Sequence, residues 1–185
     1  MRVIAGDKKG RRLATPEGLE TRPTTDKVKE ALFSIIQFDL PGAAFLDLFA
    51  GSGQIGIEAL SRGADRAIFV DSGKKACAVI KENLIAVEYV RRSEVHQKNV
   101  EDYLSICREK FDIVFMDPPY KLDIIQNIFE KVTAVCRDNA IIICEIPLNE
   151  PLFEEICGFE LSRRYRYGKT ELALFRKKSA ETEIY

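Results

Sequence analysis

From residue 43 onward, short apolar runs alternate with segments whose apolar residues recur every three to four positions. The runs at 44–49, 67–70, 94–97, 111–116 and 140–146 read as strands, and 54–62, 74–90, 101–109 and 122–137 as helices. The strand runs are almost continuously apolar, which predicts a mostly parallel sheet covered on both faces. Gly63 follows the first of these helices as a C-cap. After a short helix over 150–157, the runs 159–167 and 170–176 flank Gly168-Lys169 and predict an antiparallel hairpin. The fold class is α/β, doubly wound.

The first 42 residues follow another pattern. Runs at 2–5 and 12–15, joined by Gly6-Asp7-Lys8-Lys9-Gly10, predict a small hairpin. Residues 22–26 (Arg-Pro-Thr-Thr-Asp) supply turn and N-cap chemistry. Val28, Ala31, Leu32, Ile35 and Ile36 then form one helical face, and Pro41-Gly42 ends it. The expectation is one domain over 1–185, with 1–42 as a hairpin-and-helix extension and 43–185 as the core.

A composition of 46% apolar and 31% charged residues is that of a globular chain. No run of 18 apolar residues and no signal-peptide core is visible, which suits a cytoplasmic protein. Five cysteines without C-x-x-C spacing, all within apolar segments, read as reduced core thiols. His96 is the sole histidine, which rules out a multi-histidine metal site and reads as structural; no metal is expected. Net charge is −1, yet residues 1–12 carry +4 and residues 163–178 carry +6. The net charge argues against a general nucleic-acid binder, but two basic ends on an acidic body suit a partner, and they equally suit sheet edges protected by lysine and arginine.

Two motifs carry the chemistry. Gly51, Gly53 and Gly56 fit G-x-G-x-x-G between a strand and a helix, where a ligand can approach backbone closely. Asp71, at the end of the next strand, is the expected acceptor for ribose hydroxyls. Asp47, four residues before the turn, would repel a pyrophosphate and welcome an ammonium. That combination suits S-adenosylmethionine, which has an ammonium, a ribose diol and no phosphate. The alternative for Asp47 is a buried partner of a backbone amide. Asn99, after the third strand, can both donate to and accept from an adenine edge. Phe49, Ala50, Ser52, Ser72 and Val100 complete the expected cofactor site.

The second motif, Asp117-Pro118-Pro119-Tyr120, closes the fourth predicted strand. Two prolines fix φ twice and remove two N–H donors, leaving a carboxylate, carbonyls and a ring. Such acceptors suit the exocyclic amine of a nucleobase. The Asp117 carboxylate and the Pro118 carbonyl would take the two amino hydrogens and aim the nitrogen lone pair at a methyl donor. Tyr120 would stack on a base turned out of its loop. Asp117 also borders the expected cofactor site.

The chain resembles the RsmD-type methyltransferases throughout its length. The resemblance rests on Met1-Arg-Val-Ile-Ala-Gly6, Lys9-Gly10-Arg11, Arg22-Pro23-Thr24, Glu30-Ala31-Leu32-Phe33, residues 45–53 (Phe-Leu-Asp-Leu-Phe-Ala-Gly-Ser-Gly) and Asp117-Pro-Pro-Tyr120. It implies a Rossmann-like S-adenosylmethionine-dependent fold and methylation of a guanine N2 in bacterial 16S ribosomal RNA of the 30S subunit. It further implies that the N-terminal extension flanks the site, with Arg2, Lys9, Arg11, Arg22, Thr24 and Arg166 as RNA contacts. Asn99 stands where the family commonly has Asp. The alternatives are a DNA amino-methyltransferase, a methyltransferase of a protein glutamine, an NAD-dependent oxidoreductase supported by the glycines alone, and a binding module without turnover. A monomer is the default expectation.

Overall fold

The computed structural model describes residues 1–15, 25–118 and 122–178. Pro119 and Tyr120 of the acceptor motif, and Arg22 and Thr24 of the expected RNA contacts, lie outside the described residues. Helix α1 (Asp26–Ile35) precedes β1 (Ala44–Leu48), α2 (Gln54–Ser61), β2 (Arg66–Asp71), α3 (Lys74–Ala86) and β3 (Ser93–Gln97). Then come α4 (Val100–Ile106), β4 (Phe111–Met116), α5 (Leu122–Ala134), β5 (Cys136–Pro147), β6 (Glu155–Ile156), β7 (Phe159–Tyr167) and β8 (Thr170–Lys177).

The eight strands form one sheet in the order β3-β2-β1-β4-β5-β8-β7-β6. The first five are parallel, and β8 enters antiparallel beside β5. The strand order reverses between β1 and β4, so the crevice above their carboxyl ends is the expected ligand position. One face is covered by α1, α2 and α3 around Phe33, Phe45, Phe69 and Phe115. The other is covered by α4 and α5 around Leu46, Val114, Phe129 and Phe175. The continuous apolar runs are thereby explained.

Three expectations need correction. The segment 150–157 is not a helix; it ends in β6, which pairs with β7 at the sheet edge. Its apolar residues reach the core from non-helical backbone: Phe153 stacks edge-on against Phe129 at 4.9 Å. The N-terminal hairpin reduces to a single bridge, Arg2 to Arg12, with Val3 N–H donating to the Arg11 carbonyl at 2.9 Å. Gly10 N–H donates to the Val3 carbonyl and Leu13 N–H to the Met1 carbonyl across the same pair of runs, while α2 takes the amides of Ile4, Ala5, Asp7 and Lys8. Among the cysteines, Cys77, Cys136 and Cys144 are buried, but Cys157 is exposed, in a turn with φ of 51°. All five are free thiols.

Candidate active site

The donor loop, residues 49–53, joins β1 to α2 through three left-handed residues: Phe49 (φ 62°), Gly51 (57°) and Gly53 (75°). Left-handed backbone is inexpensive for glycine and strained for phenylalanine, and such strain gathers at functional sites. A Cβ at Gly51 would meet no heavy atom within 4 Å, so the loop backbone is open there. Gly56 has a packing reason instead, since a Cβ would stand 2.3 Å from the Phe69 ring.

Side chains from three elements brace this loop. Gly51 N–H donates to Asp71 Oδ2 at 2.8 Å, while Gly73 N–H donates to Asp71 Oδ1 at 2.7 Å. Asp71 therefore ties the donor loop to the start of α3 and retains lone pairs for a ribose diol. Gly56 N–H donates to Asp47 Oδ2 at 2.9 Å, so Asp47 caps α2 from the neighbouring strand. Asp47 is 2% exposed. Burial pushes its carboxyl well above the usual range, the nearby Asp117 and Asp71 charges push the same way, and the Gly56 N–H opposes them. Of the two readings of Asp47, the partner of a buried amide is the one its Oδ2 adopts. Asn83 of α3 makes the third brace, donating to the Ser52 carbonyl at 3.0 Å.

Ala50 and Ser52 lie at the floor of the loop, and Ser72 is exposed beside Asp71. Asn99 is exposed and caps α4, its Oδ1 accepting from Glu101 N–H at 2.9 Å. Its amide nitrogen remains for an adenine edge, with buried Val100 behind it.

Asp117 follows β4 directly, with Pro118 buried after it. Met116 pairs with Cys144, so the next residues, Asp117 and Glu145, stand side by side on one face of the sheet. Glu145 pairs onward with Leu172, and Leu172 with Tyr165, a partly buried ring on the α1–α3 side. Burial, with the Glu145 charge second, raises the Asp117 carboxyl to about 7. Four carboxylates (Asp47, Asp71, Asp117 and Glu145) thus gather near the carboxyl ends of the central strands. In their ionised forms these groups disfavour a pyrophosphate and favour a cation. Glu145 escaped the sequence reading because only strand register places it beside Asp117.

The N-terminal segment is fastened to α2 by buried charge. Glu58, 0% exposed, accepts from Ile4 N–H at 2.8 Å, Ala5 N–H at 2.9 Å and Arg62 Nε at 2.7 Å. Lys29, also 0% exposed, lies 3.9 Å from Glu58 and donates to the Arg2 carbonyl at 2.8 Å. Burial lowers its ammonium pKa, and the Glu58 and Asp26 charges oppose that shift. Met1, Arg2, Gly10, Arg12 and Asp26 line an open recess of about 680 Å³. Met1 Sδ lies 3.7 Å from Ser52 Oγ, so this recess adjoins the donor loop. Arg166, on β7 near the tip of the terminal hairpin, ion-pairs with the buried Glu171 at 3.1 Å.

Among the described residues no group of three or more histidine, cysteine, aspartate or glutamate side chains could hold a metal ion. No helix among them is long and apolar enough to cross a membrane.

The family model described as Conserved hypothetical protein 95 matches residues 1–176. YlbH of Bacillus subtilis (strain 168) is 38% identical over 183 residues, covering 96% of this chain and all of the relative. Ribosomal RNA small subunit methyltransferase D of Escherichia coli (strain K12) is 30% identical over 182 residues, covering 97% of this chain and 91% of the relative. The solved structure of yhhF from Escherichia coli superposes with a TM-score of 0.87 at 30% identity, covering 96% of this chain and 98% of that one. With the braced glycine loop and this whole-length likeness, the chain belongs to the Conserved hypothetical protein 95 family, that of the RsmD methyltransferases.

Proposed function

We propose that this protein transfers a methyl group from S-adenosylmethionine to the exocyclic N2 of a guanine in 16S ribosomal RNA of the small subunit. The observation that carries it is the juxtaposition, at the carboxyl ends of the central strands, of an open glycine loop and a cluster of four carboxylates that includes Asp117. The donor set fits the cofactor: Asp71 suits ribose hydroxyls, Asn99 the adenine edge, and the acidic field a cationic ligand. S-adenosylmethionine supplies an electrophilic methyl on sulfur when bound.

The chain's own residues then hold and deprotonate the acceptor. Ionised Asp117 and the Pro118 carbonyl accept the two amino hydrogens of the guanine and fix the nitrogen in line. Asp117 stabilises positive charge growing on that nitrogen and takes its proton. Pro119 and Tyr120 belong to the same reading, with Tyr120 stacking on the base. Arg2, Lys9 and Arg11, with Arg22 and Thr24, are assigned to the RNA backbone, and Arg166 is assigned there through the face of its side chain left exposed by its pairing with Glu171. Relatives named for small-subunit ribosomal RNA support this substrate over duplex DNA. Cytoplasmic location and a single-domain monomer accompany the reading, with no metal required.

Changing Asp117 to Ala is expected to lower kcat by about 10²–10⁴-fold, the usual contribution of a positioned acid or base. The dissociation constant for S-adenosylhomocysteine should stay within about threefold, because Asp117 serves the acceptor more than the donor. A variant that keeps its kcat would remove Asp117 from the chemistry.

A further inference from the structure

Asn83 spends its whole amide on two segments that are remote in sequence. Its Oδ1 accepts from Ala14 N–H at 2.7 Å, and its Nδ2 donates to the Ala14 carbonyl at 3.1 Å and the Ser52 carbonyl at 3.0 Å. It is 1% exposed, on the face of α3 that also buries Ala76, Cys77, Ile80 and Leu84. An apolar residue would fill that position if packing alone mattered.

The Ser52 carbonyl belongs to the peptide joining Ser52 to Gly53. Gly53 N–H, the other end of that peptide, donates to the Ala50 carbonyl at 2.7 Å. The central peptide of the donor loop is therefore held at both ends, and Asn83 supplies one hold. Ala14 lies at the far end of a segment anchored on α2 by Glu58 for Ile4 and Ala5 and by Ser61 for Ala5 and Lys8, and elsewhere by Lys29 for Arg2, Tyr89 for Asp7 and Glu88 for Lys8. The same segment carries Arg2, Lys9, Arg11 and Arg12, and its Met1 Sδ lies against Ser52.

We propose that Asn83 is a positioning residue through which the donor loop and the basic N-terminal segment set each other's geometry. Docking of residues 1–15 orients the Ser52–Gly53 peptide for the cofactor, and cofactor on the loop holds the basic segment in place for RNA. Such coupling is reciprocal: whatever docking adds to cofactor affinity, the cofactor returns to docking. The inference rests on the S-adenosylmethionine reading of the donor loop.

The test combines calorimetry with backbone hydrogen exchange, using S-adenosylhomocysteine as the probe. In the native protein the ligand should slow exchange at Val3, Gly10, Leu13 and Ala14, whose amide hydrogens are bonded within this segment or to Asn83. Asn83→Asp keeps the shape but replaces the donor with an oxygen facing two carbonyls. That variant should bind the ligand about tenfold more weakly, within the usual range of coupling, and lose the slowed exchange. Ser61→Ala, which loosens the segment without touching the loop, should weaken binding in the same direction. Failure of the native protein to bind the ligand would sink the cofactor reading itself. Binding that leaves exchange at these four amides unchanged would overturn the coupling, even if Asn83→Asp does not fold. A folded Asn83→Asp with a lowered unfolding temperature but native affinity would make Asn83 structural only.

Discussion

The two basic ends of the chain look alike in sequence and are built differently. In residues 163–178 the cations are mostly spoken for. Arg164 and Arg166 close on the buried Glu171, Arg176 pairs with Asp39, Lys177 with Asp138 and Lys178 with Glu155. Arg163 lies over the Tyr165 ring. At the N-terminus, Lys8 pairs with Glu88 and Arg2 lies 3.6 Å from Asp26, but Lys9, Arg11 and Arg12 enter no ion pair among the described residues. Similar basic runs therefore give a sheet edge knitted together at one end and, at the other, a segment held on α2 that keeps three cations out of ion pairs among the described residues. Counting charges gives partners for neither; pairing geometry assigns them.

The largest expected effect separates the two buried carboxylates that anchor these ends. Glu58→Ala strips the buried carboxylate from beside fully buried Lys29 and leaves two amides and Arg62 unmatched. It should lower stability by about 3–5 kcal/mol. Glu171→Gln keeps an acceptor beside the partly exposed Arg164 and should lose only about 1–2 kcal/mol. Denaturant unfolding of both variants makes the comparison, and equal losses would erase it.

Next comes RNA affinity. Replacing Arg11 and Arg12 together by Ala should weaken binding of a 16S ribosomal RNA fragment and lower the slope of log affinity against log salt by about 1.4. Replacing Lys177 and Lys178 together should leave that slope unchanged, because both side chains are held by carboxylates. A smaller slope from the second pair would reverse the assignment.

The smallest effect is the pH profile. With Asp117 raised to about 7, the ionised acceptor is scarce in acid, so kcat/KM should rise with pH through about 7. Folding favours the protonated carboxyl here. Its contribution to stability is complete below the ordinary value of 3.8 and is lost as pH rises through about 7. Glu145→Gln removes one cause of the shift and should move the acidic limb downward, leaving the burial part in place.

Strands β1, β2 and β4 were legible because both faces are buried, which leaves uninterrupted apolar runs, whereas the half-exposed edge strand β3 was placed by the strand–helix alternation. The donor glycines, Asp71 and Asp117 were legible because each sits at a strand end set by those runs. What the sequence hid depends on partners far along the chain. Asn83 meets Ala14 across 69 positions, and Glu58 meets Ile4 across 54. The one available signal was a polar residue on an apolar helical face: Asn83 among Ile80 and Leu84, Lys29 among Leu32 and Phe33. The segment 150–157 misled because its apolar residues satisfy a helical pattern while its backbone serves the sheet edge.

The most direct measurement is transfer of labelled methyl from S-adenosylmethionine to unmethylated 30S subunits, 16S ribosomal RNA and duplex DNA, followed by nucleoside separation. Label recovered as N2-methylguanine from a ribosomal substrate, and absent from DNA, is the predicted result. Label on adenine or cytosine of DNA, or no transfer to any of the three by a protein that binds the cofactor, would contradict it.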